Sequence, residues 1–320
     1  MNSHSSSVVL ANKKTTPIST WVLLKHGSHK VPRSIELGFN DFLTKIKATA
    51  AETSATVSHR ASIKACLENN FGLKRFTRIG SFGNGTNVSG YSDVDYLACF
   101  PTASLKQSSD ASLRMVKDAL VARFPNTGVT VRCPTVVCPF GEYKSQHSEI
   151  VVADYVKEDR GYKVYEIADG SGGWVQICPD AHNAYVDAVD KKHNGKVKPL
   201  IRLVKAWKCY RDVPIKSFYL EMRVAKYADG ETCIVYEIDV KRILTMLRDN
   251  GLAALQDPMG IDGYIYPCKT EAFKQDALSK LSTAATMAEK AREAEAANDV
   301  KTAFNWWKLL YNDQFPNYYL

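Results

Sequence analysis

Residues 80–100 read Gly-Ser-Phe-Gly-Asn-Gly-Thr-Asn-Val-Ser-Gly-Tyr-Ser-Asp-Val-Asp-Tyr-Leu-Ala-Cys-Phe, and the rest of the chain is interpreted outward from this stretch. Gly80 and Ser81 begin a glycine-rich segment, whose backbone can turn sharply and approach a ligand closely. Asp93 and Asp95 stand two positions apart at the front of an apolar run. Because alternate residues of a strand point to the same face, we predict that the two carboxylates project side by side.

The paired aspartates predict a metal site. Two adjacent carboxylates repel each other, and a shared proton or a divalent cation relieves that repulsion. Carboxylate oxygens are hard ligands, which suit Mg²⁺. A Gly-Ser turn for phosphate beside an Asp-x-Asp pair for metal is the arrangement of a nucleotidyl-transfer site. The alternative for an Asp-x-Asp pair is an exposed strand start that binds nothing.

A third carboxylate is expected from a neighbouring strand. Metal-dependent transfer at an α-phosphate commonly uses two cations ~3.5–4 Å apart, and two aspartates rarely suffice to hold both. We therefore predict two Mg²⁺ ions, with Mn²⁺ as a substitute. Residues 148–154 offer Glu149 and Asp154, which face opposite sides of a regular strand. Both remain open at this point.

The bulk composition indicates a soluble globular protein with an anionic partner. The chain has 320 residues, of which 45% are hydrophobic and 24% charged, enough for one large or two ordinary domains. Its formal net charge of +8 favours nucleotides, nucleic acid or an acidic surface as partners, although charge alone does not separate these from simple solubility.

The cysteines and the hydropathy pattern predict a cytoplasmic protein. The eight cysteines form no C-x-x-C pair and lie mostly in apolar runs, which favours buried reduced thiols over disulfides or zinc. The first residues lack the charged and apolar regions of a signal peptide. No apolar run approaches the ~20 residues that a membrane span needs.

Secondary-structure patterns change character along the chain. We predict a mobile tail over residues 1–19, a mixed α and β region over 20–178 and a helical lobe over 179–320. The predicted fold class is α+β, a small mixed sheet with helices followed by the helical lobe. A cleft between the two regions is the expected active site, because ligands favour such interfaces.

The predicted elements are as follows. Strands are expected over 93–100, 129–137, 148–156 and 174–178, with residues 157–173 as a connection. Helices are expected from residue 32, and over 57–70, 109–123, 179–192, 195–210, 217–227, 236–249, 270–297 and 302–311, of which 270–297 reads as long and exposed.

These residues together resemble a known family. Gly80-Ser81, Asp93-Val94-Asp95 and a strand of the type Glu149 to Ala153 look like the DNA-polymerase-β-like nucleotidyltransferase superfamily. Three later segments narrow the resemblance to the bacterial CD-NTases, often called SMODS-type, which are similar to cyclic GMP-AMP synthase and oligoadenylate synthase. They read Pro-Asp-Ala-His at 179–182, Leu-Ile-Arg-Leu-Val-Lys-Ala-Trp at 200–207 and Lys-Ser-Phe-Tyr-Leu-Glu at 216–221.

The resemblance implies a role for each matching residue. Gly80 and Ser81 would bind the β- and γ-phosphates, and Asp93 and Asp95 would hold both metals. Glu149 would complete the metal that activates the acceptor hydroxyl. This position is usually aspartate in the family, so Asp154 remains the fallback.

The helical lobe supplies the other implied contacts. Lys205 would neutralise the triphosphate, Ser217 would donate to phosphate and Phe218 would stack on a base. The alternatives are a solvated lysine, a helix N-cap and a core phenylalanine, respectively. We expect His182 to be a structural hydrogen-bonding residue.

The implied function is condensation of nucleoside triphosphates, ATP among them, into a cyclic di- or trinucleotide second messenger. The family context adds anti-phage signalling, a downstream effector that responds to the product and a regulatory protein partner. The alternatives are a linear polymerase or RNA-tailing enzyme and a non-catalytic nucleotide sensor on the same fold. No membrane partner is expected, and binding of nucleic acid is not strongly indicated.

Overall fold

The computed structural model describes residues 33–47, 50–141, 146–261 and 263–319. The tail predicted over residues 1–19 lies outside this part of the chain. All the described residues fall in one compact unit. Within them, no helix is both long enough and apolar enough to cross a bilayer.

A mixed sheet forms the first half of the unit, with β2 and β5 at its centre. Its order is β1-β2-β5-β4-β3, and β6 extends from β5 and pairs with β7. Only β2 and β5 run parallel, and the other neighbours are antiparallel. The strands are β1 (Arg75–Arg78), β2 (Val94–Phe100), β3 (Thr130–Arg132), β4 (Thr135–Phe140), β5 (Gln146–Asp159), β6 (Tyr162–Ala168) and β7 (Trp174–Ile177).

Helices cover one face of this sheet. Helix α2 (Ala50–Phe71) and helix α4 (Ser109–Arg123) bury Leu67 and Leu113 against β2 and β5 residues such as Tyr96. The short helix α3 (Gly80–Asn84) lies between β1 and β2, within the glycine-rich segment. The sheet thus fixes the position of Asp95 near the start of β2, a strand whose other residues are buried.

The second half of the unit is helical. It also takes in the first described helix, α1 (Ile35–Ile46), whose Phe39 and Phe42 pack against Trp307 and Tyr311. The remaining helices are α5 (Pro179–Lys192), α6 (Val197–Tyr210), α7 (Ser217–Asp229), α8 (Tyr236–Asp249), α9 (Glu271–Ala296) and α10 (Val300–Leu310), with a small hairpin of β8 (Leu255–Gln256) and β9 (Tyr264–Ile265).

Several predicted elements differ from the structure. The strand predicted over 129–137 is split into β3 and β4, which pair antiparallel across a tight turn at Cys133 and Pro134, and the helix predicted over 57–70 begins at Ala50. The connection predicted over 157–173 contains β6. Helix α9 is exposed on one face only: several of its alanines, among them Ala285 and Ala288, are buried where it packs on α8 and α10.

Candidate active site

Gly80 lies where the glycine-rich segment meets the first carboxylates. Its φ of +59° is in the left-handed region, which glycine adopts without strain. A Cβ built at this position would lie 2.1 Å from Oδ2 of Asp95. The backbone N–H of Ile79 donates to the carbonyl oxygen of Asp95 at 3.0 Å. Only a glycine at position 80 therefore leaves room for the Asp95 carboxylate.

The strand register places Glu149 beside the aspartates. Asp93 immediately precedes β2, and Asp95 pairs directly with Glu149 on the parallel strand β5. Asp154 pairs with Phe100 at the far end of the same strands and accepts a hydrogen bond from Thr102 at 2.9 Å. Of the two predicted third carboxylates, Glu149 alone is next to the Asp-x-Asp pair.

Burial raises the pKa of all three carboxylates, and negative neighbours reinforce the shift at Asp95 and Glu149. Burial, reinforced by the negative charges of Glu149 and Asp93, raises the pKa of Asp95 to about 8. Burial also raises the pKa of Asp93, although His147 Nδ1, 3.4 Å from Asp93 Oδ1, opposes the shift. The expected electrostatic repulsion is therefore present.

Glu149 is held by neighbours on the adjoining hairpin. Burial and the charge of Asp93 raise its pKa, whereas Arg132 and Thr135 oppose the shift. The Thr135 hydroxyl donates to Glu149 Oε2 at 3.3 Å, and Arg132 Nη1 lies 3.8 Å from Oε1. These oxygens have the chemistry of Mg²⁺ ligands. Within residues 33–47, 50–141, 146–261 and 263–319, no group of three or more His, Cys, Asp or Glu is placed to hold a metal ion, so Mg²⁺ binding stays a prediction.

A cleft of about 320 Å³ lies between the sheet and helices α6 and α7. It brings together every sequence-predicted site residue except Glu149, which does not line the cavity. The sheet side consists of Gly80, Ser81, Tyr91, Ser92, Asp93 and Asp95, and the helical side of Lys205, Lys208, Cys209, Ser217, Phe218 and Glu221.

Lys205 lines this cleft as half of a buried ion pair. Its side chain is 2% exposed, and its Nζ lies 2.5 Å from Glu221 Oε1. Oε2 of Glu221 accepts from Asn84 Nδ2 at 3.3 Å, which ties α7 to the glycine-rich segment. The solvated-lysine alternative is therefore wrong, and a carboxylate already neutralises the charge predicted to face a triphosphate.

Lys208 is the cleft lysine that sequence reasoning missed. It follows Lys205 by one helical turn on α6, so the spacing along this amphipathic helix was the available signal. Lys208 Nζ donates to the Ser217 hydroxyl at 3.1 Å. Burial lowers its pKa, and the charge of Asp93 across the cleft opposes that shift.

Ser217 and Phe218 begin α7 at the helical wall. The N-cap position belongs to Lys216, and Ser217 is the first helical residue, so the N-cap alternative for Ser217 is wrong. The Phe218 ring is 38% exposed and meets His182 edge to face at 5.0 Å, so Phe218 is not a core residue. His182 is buried with its Nε2 3.0 Å from Asp257 Oδ1, the kind of structural contact that was predicted.

Tyr91 is a further aromatic residue of the cleft that the sequence did not single out. Its ring is 55% exposed and meets Tyr210 edge to face at 5.2 Å. Together with Phe218 it gives the cleft an aromatic side chain on each wall, which suits a ligand with flat rings.

The structure thus has a mixed sheet with carboxylates at two central strands, facing a helical half across a cleft. Solved structures confirm the α+β fold. The chain is similar to a mutant of the Vibrio cholerae di-nucleotide cyclase DncV, solved with ATP and GTP, at a TM-score of 0.72 and 14% identity. This match covers 90% of the present chain and 98% of DncV.

Sequence comparison finds relatives that are named as cyclic nucleotide synthases. The chain is 26% identical over 174 residues to a probable cyclic nucleotide synthase of Bacillus cereus, covering 52% of this chain and 51% of the relative. It is 27% identical over 175 residues to a cyclic AMP-AMP-AMP synthase of Acinetobacter, covering 47% and 49%. The chain thus spans about half the length of the curated relatives it matches, and no family model matches it. The names of these relatives and the DncV structure agree with the resemblance drawn from the sequence.

Proposed function

We propose that this protein is a nucleotidyltransferase that condenses nucleoside triphosphates into a cyclic oligonucleotide and releases pyrophosphate. The observation that carries the proposal is the pairing of Asp95 with Glu149 beside the Gly80 turn, opposite the cationic wall of α6. A nucleotide sensor needs no such set of buried carboxylates. The names of the curated relatives support cyclic products over linear ones.

The residues on the two walls of the cleft would bind the phosphates and the bases of the nucleotides. Ser81 and the Gly80 turn would hold the terminal phosphates of the donor, and Lys208 with Ser217 would bind them from the helical side. Phe218 and Tyr91 offer ring faces for the bases. Holding the acceptor hydroxyl in line with the α-phosphate supplies much of the rate, since well-oriented intramolecular reactions gain about 7–11 kcal/mol from positioning.

The carboxylates are the part of the cleft that fits divalent metal. Asp93, Asp95 and Glu149 would hold two Mg²⁺ ions, or Mn²⁺ in their place, and their raised pKa values mark a site that favours added positive charge. When bound, these ions lower the pKa of an attacking hydroxyl and offset phosphate charge. Lys205 is then a positioning residue, because its ion pair holds Glu221 and through it Asn84 of the glycine-rich segment.

The test is product analysis with the full chain. The purified protein is incubated with all four labelled nucleoside triphosphates and Mg²⁺ or Mn²⁺, and the products are identified by mass spectrometry before and after phosphatase treatment. A cyclic product has no terminal phosphate and survives phosphatase. If only phosphatase-sensitive products form, the enzyme is a linear polymerase and the cyclase proposal is wrong.

Two variants of β5 decide which carboxylate completes the site. We expect Glu149→Gln to lower turnover by more than about 100-fold. Losing a residue that only supports a metal ligand costs up to about 100-fold, and losing the ligand itself should cost more. Asp154→Asn removes an equal charge from the same strand and is expected to retain turnover. Equal losses in both variants would contradict the assignment of Glu149.

The resemblance alone supports the wider setting. It favours a cytoplasmic enzyme whose product activates an effector in anti-phage defence, under the control of a regulatory protein partner. Co-expression with phage challenge, comparing the wild type with Glu149→Gln, measures whether protection depends on turnover.

A further inference from the structure

A second cavity, of about 490 Å³, lies beside the catalytic cleft and shares no lining residue with it. It is open to the surface and bordered by the start of α7, the turn after α8 and the segment that leads into α9. Lys216 is the connection between the two cavities, since it lines this one and directly precedes Ser217 of the cleft.

The lining residues of this cavity carry a net positive charge. Lys216, Lys269 and Lys274 line it, and Glu271 is the single carboxylate among its lining residues. None of these three lysines forms an ion pair with a carboxylate anywhere in the described part of the chain. Burial raises the pKa of the Cys268 thiol, while the charges of Lys216 and Lys274 act to lower it and that of Glu271 to raise it.

The beginning of α9 adds to this potential. Glu271–Ala296 is a helix of 26 residues, and its N-cap residue Thr270 lines the cavity. The N-terminal end of a helix carries partial positive charge, which falls off within the first turn. Anionic groups that meet the lysines therefore also lie within reach of this turn.

The lining also includes apolar and aromatic residues. Leu252, Ala254 and Pro267 line the cavity, next to the ring of Tyr266, which is 61% exposed. An exposed tyrosine beside unpaired lysines suits a ligand with a flat ring at one end and negative charge at the other. The volume is in the range of small-molecule sites, roughly 300–1,000 Å³.

We propose that this cavity binds a nucleoside triphosphate at a site separate from the catalytic cleft. The base lies against Tyr266 and the apolar lining residues, and the phosphates lie against Lys216, Lys269 and Lys274. The proposal does not depend on the proposed reaction, because it concerns binding and needs no turnover.

The test is lysine footprinting of the full chain in EDTA. Each lysine's rate of acetylation is measured by mass spectrometry with ATP, inorganic triphosphate or adenosine. At an ATP concentration ten times the Kd, acetylation of Lys216, Lys269 and Lys274 should fall about tenfold. Lys241 and Lys301, which lie outside both cavities, should be unaffected.

Variants test which residues bind the phosphates of the ligand and which bind its base. Lys269→Ala/Lys274→Ala should raise the ATP concentration for half-protection of Lys216 by about tenfold or more, since hydrogen bonds to charged groups are the stronger ones. Lys241→Ala/Lys301→Ala removes the same net charge and should change nothing. Tyr266→Ala should weaken protection by ATP while leaving that by inorganic triphosphate unchanged.

Three outcomes would overturn the proposal. ATP could protect none of the three lysines at millimolar concentration, or it could protect only Lys208 in the cleft. Single-stranded RNA could protect them where ATP does not, which would assign the surface to nucleic acid. If ATP protects them but no oligonucleotide is made, the proposed function fails and this site stands.

Discussion

At the scale of single residues, Gly80 is constrained by two separate requirements. Its backbone is left-handed, and its missing Cβ leaves the space that the Asp95 carboxylate occupies. Gly85, at the other end of α3, has a φ of +71°, and the nearest atom to its Cβ position is 4.0 Å away. Substitutions at the two glycines can therefore distinguish the effect of backbone strain from that of a clash with the Asp95 carboxylate.

We expect Gly80→Ala to abolish nucleotide transfer, because Asp95 must move away from Glu149. Gly85→Ala should lose only about 1–2 kcal/mol of stability from the left-handed backbone and keep most activity. Urea unfolding and product yield measure both variants. Equal activity in the two would show that the space beside Asp95 is not required.

Asp95 gives the protein a pH dependence with a defined sign. Its pKa is about 8 in the folded chain, against 3.8 as its ordinary value, so the folded state holds the extra proton between these limits. Without metal, the free energy of unfolding should therefore fall as pH rises from 4 to 8, by at most about 1.4 kcal/mol per pH unit. Urea titrations in EDTA measure the slope.

The control for this slope is Asp95→Asn, which cannot ionise. It should flatten the profile and be more stable than the wild type at pH 8. A wild-type profile that rises over this range would show that Asp95 is ionised in the folded protein without metal.

The pair Lys205 and Glu221 can be tested as a unit. Lys205→Met leaves a buried carboxylate unpaired and should cost about 3–5 kcal/mol of stability. Lys205→Met/Glu221→Gln removes both charges and should cost less than the single change. Lys208→Met, whose partner is a neutral hydroxyl, serves as the comparison on the same helix. If the double variant is the least stable of the three, the pair is not acting as an ion pair.

The sequence located most of the site but not this pair. The pairing of Asp93 with Asp95 could be predicted because strand periodicity puts alternate side chains on one face, whereas Glu149 was preferred to Asp154 on the family resemblance. The contact between Lys205 and Glu221 depends on how α6 crosses α7, which no local pattern records. For the same reason the sequence could not tell that Lys208, rather than Lys205, keeps only a neutral partner in the cleft.

At the scale of elements, the helices were the more predictable part. Helices over 109–123, 179–192 and 236–249 have the predicted bounds, because their apolar faces recur at helical spacing. Strand β6 was missed because its buried residues, such as Val164 and Tyr165, are adjacent instead of alternating. The burial of α9 was missed because alanine carries little hydropathy signal.

The alanine face of α9 yields the prediction at this scale. Ala288 is fully buried where α9 packs on its neighbours, so Ala288→Leu should overpack the interface and cost about 1–3 kcal/mol. Ala272→Leu, the same change at an exposed position of α9, should alter stability by less than about 0.5 kcal/mol. Thermal and urea unfolding measure both. A neutral Ala288→Leu would mean that this face is loosely packed.

At the scale of the whole molecule, the sheet and the helical half are joined by several contacts. Arg75 of β1 forms two hydrogen bonds with Asp180 of α5, one of them 2.8 Å long. Arg202 of α6 donates to the backbone oxygens of Gly85 and Asn87 at 2.6 and 3.0 Å. The Arg202 contacts end in the glycine-rich segment, which also lines the cleft, whereas Arg75 pairs with Cys99 towards the far end of β2.

We therefore expect the two halves to unfold together. Phe39 of α1 lies in the helical core, edge to face with Trp307 at 5.0 Å and Phe315 at 5.1 Å. Phe39→Ala should lower the free energy of unfolding by about 3–5 kcal/mol. Hydrogen exchange at rising urea measures the free energy of opening for individual peptides. If one transition exposes both halves, this free energy should fall by the same amount in peptides from β2 and from α6.

Leu37 supplies the matched control, because it lies on the same helix with 53% of its surface exposed. Leu37→Ala should change neither peptide by more than about 0.5 kcal/mol. If Phe39→Ala speeds hydrogen exchange in α6 but does not change the exchange rate in β2, the halves unfold independently. That is the behaviour of two separate domains divided near residue 178. In that case opening of the helical half alone could disassemble the cleft, since Lys208, Ser217 and Phe218 would leave while the carboxylates remained in the sheet.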